Sequence, residues 1–338
     1  MLAKISLAAR KYKVLKYLVL SWCALFAHQS VAKVVIAIVG KTKNDSFYQQ
    51  AFKGCLHFSS EHPEIECKYD GPKDFQDIRS QSMVINRLVD QKIDGLIVAT
   101  TDSQHLVTRS LMALKSKNIP VITFDSDLLE KHQQYRLAYV GSNNFDFGVA
   151  LGEQVKKLTN KANNTLCMQS GHHTTPNLNK RIAGVRYALS DQATAHLSGK
   201  NGWREHSRCP LFSLGKREES LKQLMHLLKM DNPPIFLAVA GFAQFNPHYV
   251  NALAPFKQRI ADKDIIIVSA DTEEIQLNVL SRGLSSANIG QNPFEMGRLS
   301  TKLMHDYILY NKKPAQSHYY TDFHYCTQSN ASKCTVNH

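Results

Sequence analysis

The chain has 338 residues and a formal net charge of +13, with 41 Lys and Arg against 28 Asp and Glu. This length exceeds the size at which a single hydrophobic core stops growing, so two lobes are expected. Five of the cations precede residue 17 with no acid among them, leaving 36 basic and 28 acidic residues in the rest of the chain. Without Lys and Arg clustered on one element, that balance argues against a nucleic-acid partner.

The first 32 residues read as a leader. Lys4, Arg10, Lys11, Lys13 and Lys16 precede an apolar stretch from Tyr17 to Ala27, which ends in the small-x-small signal Ser30, Val31, Ala32. The apolar core is about half the ~20 residues a spanning helix needs, so residues 1–32 are expected to be a cleaved signal peptide and the mature chain a soluble periplasmic protein starting near Lys33. Trp22 is too bulky to precede a lipid-bearing Cys23. Six cysteines then remain, Cys55, Cys67, Cys167, Cys209, Cys326 and Cys334. An even number in an oxidising compartment permits three disulfides in any of fifteen pairings. Sequential pairing is the expectation, because Cys55 lies on the first helix just before the strand carrying Cys67, and Cys326 and Cys334 bracket a short polar tail. No CxxC or HxxxH spacing points to zinc, so neither a metal site nor a cofactor is expected. His172 and His173 fall in a turn and read as solvated or pocket-lining.

Short apolar runs then alternate with amphipathic stretches. VVIAIVG (34–40), IECKY (65–69), GLIVAT (95–100), PVITFD (120–125) and LAYVG (137–141) predict buried parallel strands, being short, rich in Val and Ile, and little alternating. Residues 46–60, 77–91 and 102–117 carry apolar residues at helical spacing between them. A second series comprises TLCMQS (165–170), helices over about 180–190 and 218–229, IFLAVAG (235–241), DIIIVSAD (264–271) and SSANIG (285–290). Strand, helix, strand repeated in this way predicts an α/β fold, with two lobes whose parallel sheets are covered on both faces by helices.

Ligands bind open parallel sheets beyond the carboxyl ends of the strands, so the residues following each apolar run are the candidates. After the first run come Lys43, Asn44, Asp45, Phe47 and Tyr48; after PVITF come Asp125, Ser126 and Asp127. The second series supplies Asn177, Asn179, Arg181, Phe242, Gln244, Asp271 and Gln291. Carboxylates and amides serve vicinal hydroxyls, and aromatic faces stack on the C–H face of a sugar ring. The mixture suits a neutral polyhydroxylated ligand better than an anion, which would call for converging cations or a glycine-rich phosphate loop. Taken singly, Asp125 could equally cap a turn, and Phe47 and Tyr48 could equally be core.

The segments KTKNDSFYQQAFKG, IDGLIVATTDS, IPVITFDSD, YVGSNNFDFGVALGEQV, NLNKRIAGV and IGQNPFEMG together resemble the type 1 periplasmic sugar-binding proteins related to ribose-binding protein, in that family's order, from about Lys33 to Lys313. The resemblance implies two Rossmann-like lobes joined by a three-strand hinge. Residues 33–142 with 290–316 would form the N-terminal lobe, residues 143–289 the C-terminal lobe, and residues 317–338 the third crossover with the Cys-bearing tail. Crossovers are expected near Ser142–Asn143, Ile289–Gln291 and Lys313–Tyr319. The resemblance also implies roles: Phe47 and Tyr48 as the aromatic pair against the sugar, Asp125 and Asp271 as the hydroxyl-binding carboxylates of the two lobes, and Gln291 as the amide near the hinge. Ser126 and Asn179 stand where ribose binders carry basic residues, and Phe242 stands at or beside their asparagine. That pattern points to another or larger polyol, such as a hexose.

The function implied is a non-catalytic, monomeric periplasmic receptor that closes on a monosaccharide-like ligand and delivers it to an ABC-type permease. The alternative is a ligand-sensing co-receptor for a membrane sensor kinase, cyclase or chemoreceptor. No GxSxG, HExxH or GxGxxG motif supports catalysis. The effector core of a repressor would need a DNA-binding head where the leader stands.

Overall fold

The computed structural model describes residues 33–73 and 75–334; the expected signal peptide, residues 1–32, lies outside the described residues. Five strands open the chain: β1 (Val34–Val39), β2 (Ile65–Asp70), β3 (Gly95–Val98), β4 (Val121–Phe124) and β5 (Tyr139–Gly141). Between them run α1 (Ser46–Glu61), α2 (Ile78–Asp90) and α3, which comprises Ser103–Leu106, a π-helical turn Val107–Leu111, and Met112–Ser116. Strands β1, β3 and β4 are short and apolar because both faces of their sheet are covered, whereas the edge strand β2 is mostly polar and half-buried. Along β1, Ile36 and Ile38 join one core with Ile97 and Phe124, while Ala37 and Val39 join another with Leu96 and Val98. That alternation with burial on either side is what turns a continuous Val/Ile run into a central parallel strand.

The second lobe repeats the plan. Its strands are β6 (Asn164–Ser170), β7 (Trp203–Glu205), β8 (Leu211–Phe212), β9 (Ile235–Ala238), β10 (Ile267–Ala270) and β11 (Ala287–Gly290). Its main helices are α4 (Asn144–Leu158), α5 (Pro176–Ser190), α6 (Arg217–Leu228) and α7 (Glu274–Ser281). Again Leu166, Leu237 and Val268 face one core, and Cys167, Phe236 and Ile267 the other. Helix α5 starts a turn before the expected Lys180, because Pro176 in its first turn needs no hydrogen-bond partner for its nitrogen. After β11 the chain forms α8 (Pro293–Tyr310) and two final strands, β12 (His318–Tyr320) and β13 (His324–Thr327).

The first sheet has the order β12-β5-β4-β3-β1-β2, and every pair in it is parallel. The second has the order β13-β11-β10-β9-β6-β7, with β8 also pairing β6 and β13 running antiparallel to β11. The chain passes between sheets after β5, after β11, and between β12 and β13. His318–Tyr320 pairs with Tyr139–Gly141, so the third passage runs through residues 321–323. Among the described residues no helix is long and apolar enough to cross a membrane.

Two close helix crossings depend on missing side chains. A Cβ on Gly54 of α1 would collide with the Phe294 carbonyl of α8, and one on Gly297 of α8 with the Ala51 carbonyl of α1. In the second lobe, Gly148 of α4 meets the Arg181 carbonyl of α5, and Gly184 of α5 the Phe145 carbonyl of α4. Each pair lets backbone approach backbone, which fixes the start of α1 and of α5 over the carboxyl ends of the strands.

Three disulfides join Cys55 to Cys67, Cys167 to Cys209 and Cys326 to Cys334, with Cα separations of 6.2, 5.3 and 5.9 Å. They close segments of 12, 42 and 8 residues. Loop-closure entropy assigns about 3, 4 and 2.5 kcal/mol respectively. Among double Cys→Ser variants, removal of Cys167 and Cys209 should therefore lower the unfolding free energy most in urea titrations; an equal loss for all three would show that loop length does not govern the effect.

Candidate functional site

A narrow cavity of about 30 Å³ lies between the lobes, at the carboxyl ends of both sheets. The first lobe contributes Lys41 and Thr42 after β1, Asp45, Phe47 and Tyr48 at the start of α1, Gln76, and Asp125 after β4. The second contributes Asn177, Leu178 and Arg181 of α5, Phe242 and Phe245 after β9, Asp271 after β10 and Gln291 after β11.

The two central carboxylates occupy matching positions. Asp125 directly follows β4 and donates its amide to the Val140 carbonyl of β5 at 3.1 Å; Asp271 directly follows β10 and donates to the Ile289 carbonyl of β11 at 2.7 Å. Both turn the chain through left-handed backbone, with φ of 55° and 72°. Asp tolerates this conformation better than most residues, so the side chain is aimed into the cleft at a modest conformational cost.

Asp125 is gripped from both lobes. From its own lobe, Lys41 Nζ lies 2.8 Å from Oδ2 and the Tyr48 hydroxyl donates to Oδ2 at 3.0 Å. From the other, Asn177 donates to Oδ1 at 3.1 Å and the Arg181 guanidinium stands 3.5 Å from it. Lys41 also donates to Asn177 Oδ1 at 2.9 Å, so the contact between lobes is a closed ring of three residues. Arg181 continues the chain, donating to Asn144 Oδ1, the Val239 carbonyl and Gln291 Oε1, and Gln291 in turn donates to Asp271 at 2.8 Å. Behind Asp271, Asn288 donates to its carbonyl and to Gln244, which also accepts from Gln276. At the rim, the Gln76 amide donates to the Leu214 carbonyl, Lys216 lies over the Phe75 ring, and Arg217 donates to the Asn44 carbonyl.

Of the residues expected from the sequence, Asp45, Phe47, Tyr48, Asp125, Asn177, Arg181, Phe242, Asp271 and Gln291 line the cavity. Lys43, Asn44, Ser126, Asp127, Asn179 and Gln244 do not. Asn44 is exposed and meets Arg217 through its carbonyl; Ser126 is buried behind the Asp125 turn, where its carbonyl accepts from Thr100; Asn179 is exposed and donates to the His173 carbonyl. Phe47 and Tyr48 also belong to the first lobe's core, with rings 5.3 Å apart and edge-on. Lys41, Thr42, Gln76 and Phe245 lie outside the set expected from the sequence. Lys41 stands one residue past the Gly40 that ends the first apolar run, so the same strand-end rule finds it when applied from the first position after the run. His172 and His173 stack on each other, with ring centroids 4.4 Å apart, and line no part of the cavity.

Burial sets the electrostatics. It pulls the Lys41 ammonium below its usual range against the opposing attraction of Asp125, and it pushes Asp271 upward against Arg181 and Gln291. It also raises Asp45 to about 6, opposed by Arg217 and by the Phe47 amide that Asp45 caps at 3.0 Å. The site thus presents acceptors and donors in near balance rather than a field of one sign.

Residues 36–313 match the family described as periplasmic binding protein domain. The D-ribose/D-allose-binding protein of Pseudomonas aeruginosa is 26% identical over 200 residues, which cover 56% of this chain and 62% of that relative, so the chain aligns with under two thirds of its length. An ABC transporter solute-binding protein of Agrobacterium vitis, bound with α-D-tagatopyranose, superposes with a TM-score of 0.76 at 18% identity, covering 90% of this chain and 98% of that one. A periplasmic solute-binding protein of Actinobacillus succinogenes with bound D-allose gives 0.71 at 16% identity, covering 89% and 100%.

Because Asp45 holds its proton more tightly folded than unfolded, it makes the fold less stable as pH rises from about 4 to about 6, by an order of 2–3 kcal/mol. Asp45→Asn keeps the helix cap and removes the charge. The variant should match wild type near pH 4 and exceed its unfolding free energy near pH 8; parallel stability curves at both values would contradict a buried, proton-retaining Asp45.

Proposed function

The chain belongs to the periplasmic binding protein domain family, and we propose that within it this protein is a periplasmic receptor whose lobes close on one monosaccharide-sized polyol. The observation that carries this reading is the pair of carboxylates, Asp125 and Asp271, presented from matching strand ends of the two lobes into one cavity with Phe47, Tyr48 and Phe242. Family membership assigns binding rather than catalysis to such a cleft. Hydroxyl groups can donate to the carboxylates and accept from Lys41, Asn177 and Arg181, while the rings cover the apolar face of the sugar. Gln76 Oε1 is buried with no hydrogen-bond partner among the described residues, an acceptor suited to one further hydroxyl.

The two cations do not make this an anion site. Among the described residues, Asp125 stands within ion-pair distance of both Lys41 and Arg181, and Asp45 and Asp271 share the same cavity. The relatives' sugars, ribose, allose and tagatose, are the first ligands to try. Delivery to an ABC-type permease is the reading we favour for the closed form, since closure brings surfaces of the two lobes into one docking face.

Thermal unfolding of the purified chain against a panel of pentoses, hexoses and polyols tests the proposal. A ligand at 100 times its Kd should add about 2.7 kcal/mol, and one sugar class should give a saturable rise. Asp271→Asn should weaken that ligand at least tenfold, the loss expected for a hydrogen bond to a charged group. No shift with any sugar would overturn the reading.

A further inference from the structure

At the opposite edge of the first sheet, remote from the cleft, His62, Glu64 and His305 converge. His62 ends α1, Glu64 precedes β2, and His305 lies on α8, 241 residues further along the chain. Glu64 Oε1 stands 3.3 Å from His62 Nδ1 and 3.0 Å from His305 Nε2, and all three atoms lie within 4.8 Å of one another. The second nitrogen of His305, Nδ1, is 3.2 Å from Asp306 Oδ1. His305 therefore faces a carboxylate oxygen at each end of its ring. A neutral imidazole carries one proton and can satisfy only one of them. Lys302, 2.6 Å from Asp306, neutralises the Asp306 side, which leaves Glu64 facing two imidazole nitrogens.

We propose that His62 Nδ1, His305 Nε2 and the Glu64 carboxylate bind a divalent transition-metal ion, zinc foremost, with the remaining position open to water. Ligand bonds of about 2.0–2.1 Å at tetrahedral angles put donor atoms about 3.3–3.4 Å apart, close to the two separations found here. Two imidazoles and one carboxylate form a donor set of the kind zinc takes with a free fourth position. Asp306 supplies the carboxylate that orients the ligating histidine and fixes its tautomer. The rings are already held in place: Phe58 stacks on His62 at 4.2 Å, and Phe58 and Tyr310 meet His305 edge-on. His305 is 3% exposed while the His62 and Glu64 side chains are about one third exposed, so an ion has a path from solvent. The other His/Cys grouping, His324 with Cys326 and Cys334, offers no thiolate, because its sulfurs are joined in a disulfide. An ion at the first site would pin α1 and the start of β2 to α8 without touching the cleft.

The test uses the purified, tag-free chain stripped with chelator. Calorimetric titration should show one zinc ion per chain at micromolar Kd or tighter, and cobalt in its place should give the visible absorption of a tetrahedral site. His62→Ala, on a part-exposed residue, should weaken binding at least tenfold and abolish the cobalt band while leaving sugar binding intact; Glu64→Gln provides a second variant should the first misfold. Wild type that binds no zinc would overturn the proposal. So would zinc binding unchanged by both substitutions, which would place the ion elsewhere among the chain's 15 histidines.

Discussion

The arrangement between the lobes depends on the Asp125 carboxylate being held from both sides. A carboxylate buried to 3% exposure is sustained only by partners that replace its water, and here those partners are divided between lobes. Lys41 and Tyr48 hold it from its own lobe, whereas Asn177 and Arg181 reach it across the lobe boundary. On the proposed reading, the carboxylate is both a ligand-facing acceptor and the point where closure would be registered. A sugar hydroxyl entering this ring would exchange one hydrogen bond for another of similar kind, so closure and binding draw on the same groups.

The rest of the fold can be understood as the means of aiming those groups. Parallel strands covered on both faces bring their carboxyl ends to the lobe boundary, and the left-handed turns at Asp125 and Asp271 direct side chains outward from them. Gly148 and Gly184 bring α4 and α5 into backbone contact at Arg181 itself, so the position of that guanidinium is set by helix packing as well as by its hydrogen bonds. The equivalent crossing of α1 and α8 fixes Asp45, Phe47 and Tyr48. The proposed metal site sits on the far end of this same pair of helices, and an ion there would tighten that crossing.

Much of this is legible in the chain alone. Strands β1, β3 and β4 appear as Val/Ile-rich runs, since burial on both faces leaves no polar alternation to obscure them. Asp45, Asp125 and Asp271 are found by inspecting the positions just past each strand and at each helix start. Other features are not legible, for identifiable reasons. Asn44, Ser126 and Asn179 are each next to, or two positions from, a residue that does line the cavity, and at a turn or a helix start such a step reverses the side chain's direction. Strands β12 and β13 are too short and too polar to stand out, and depend on β5 and β11 as templates. Glu64 and His305 are joined by folding alone, which no spacing rule detects across 241 residues.

The most direct test of closure through Asp125 is small-angle scattering of the wild-type chain and of Asp125→Asn, each with and without the sugar that stabilises the protein most, supplied at concentrations saturating for each. Sugar should contract the wild type, and the folded variant should contract far less, because the neutral amide no longer draws in Asn177 and Arg181. A contraction of equal size in both would contradict the central role of this carboxylate.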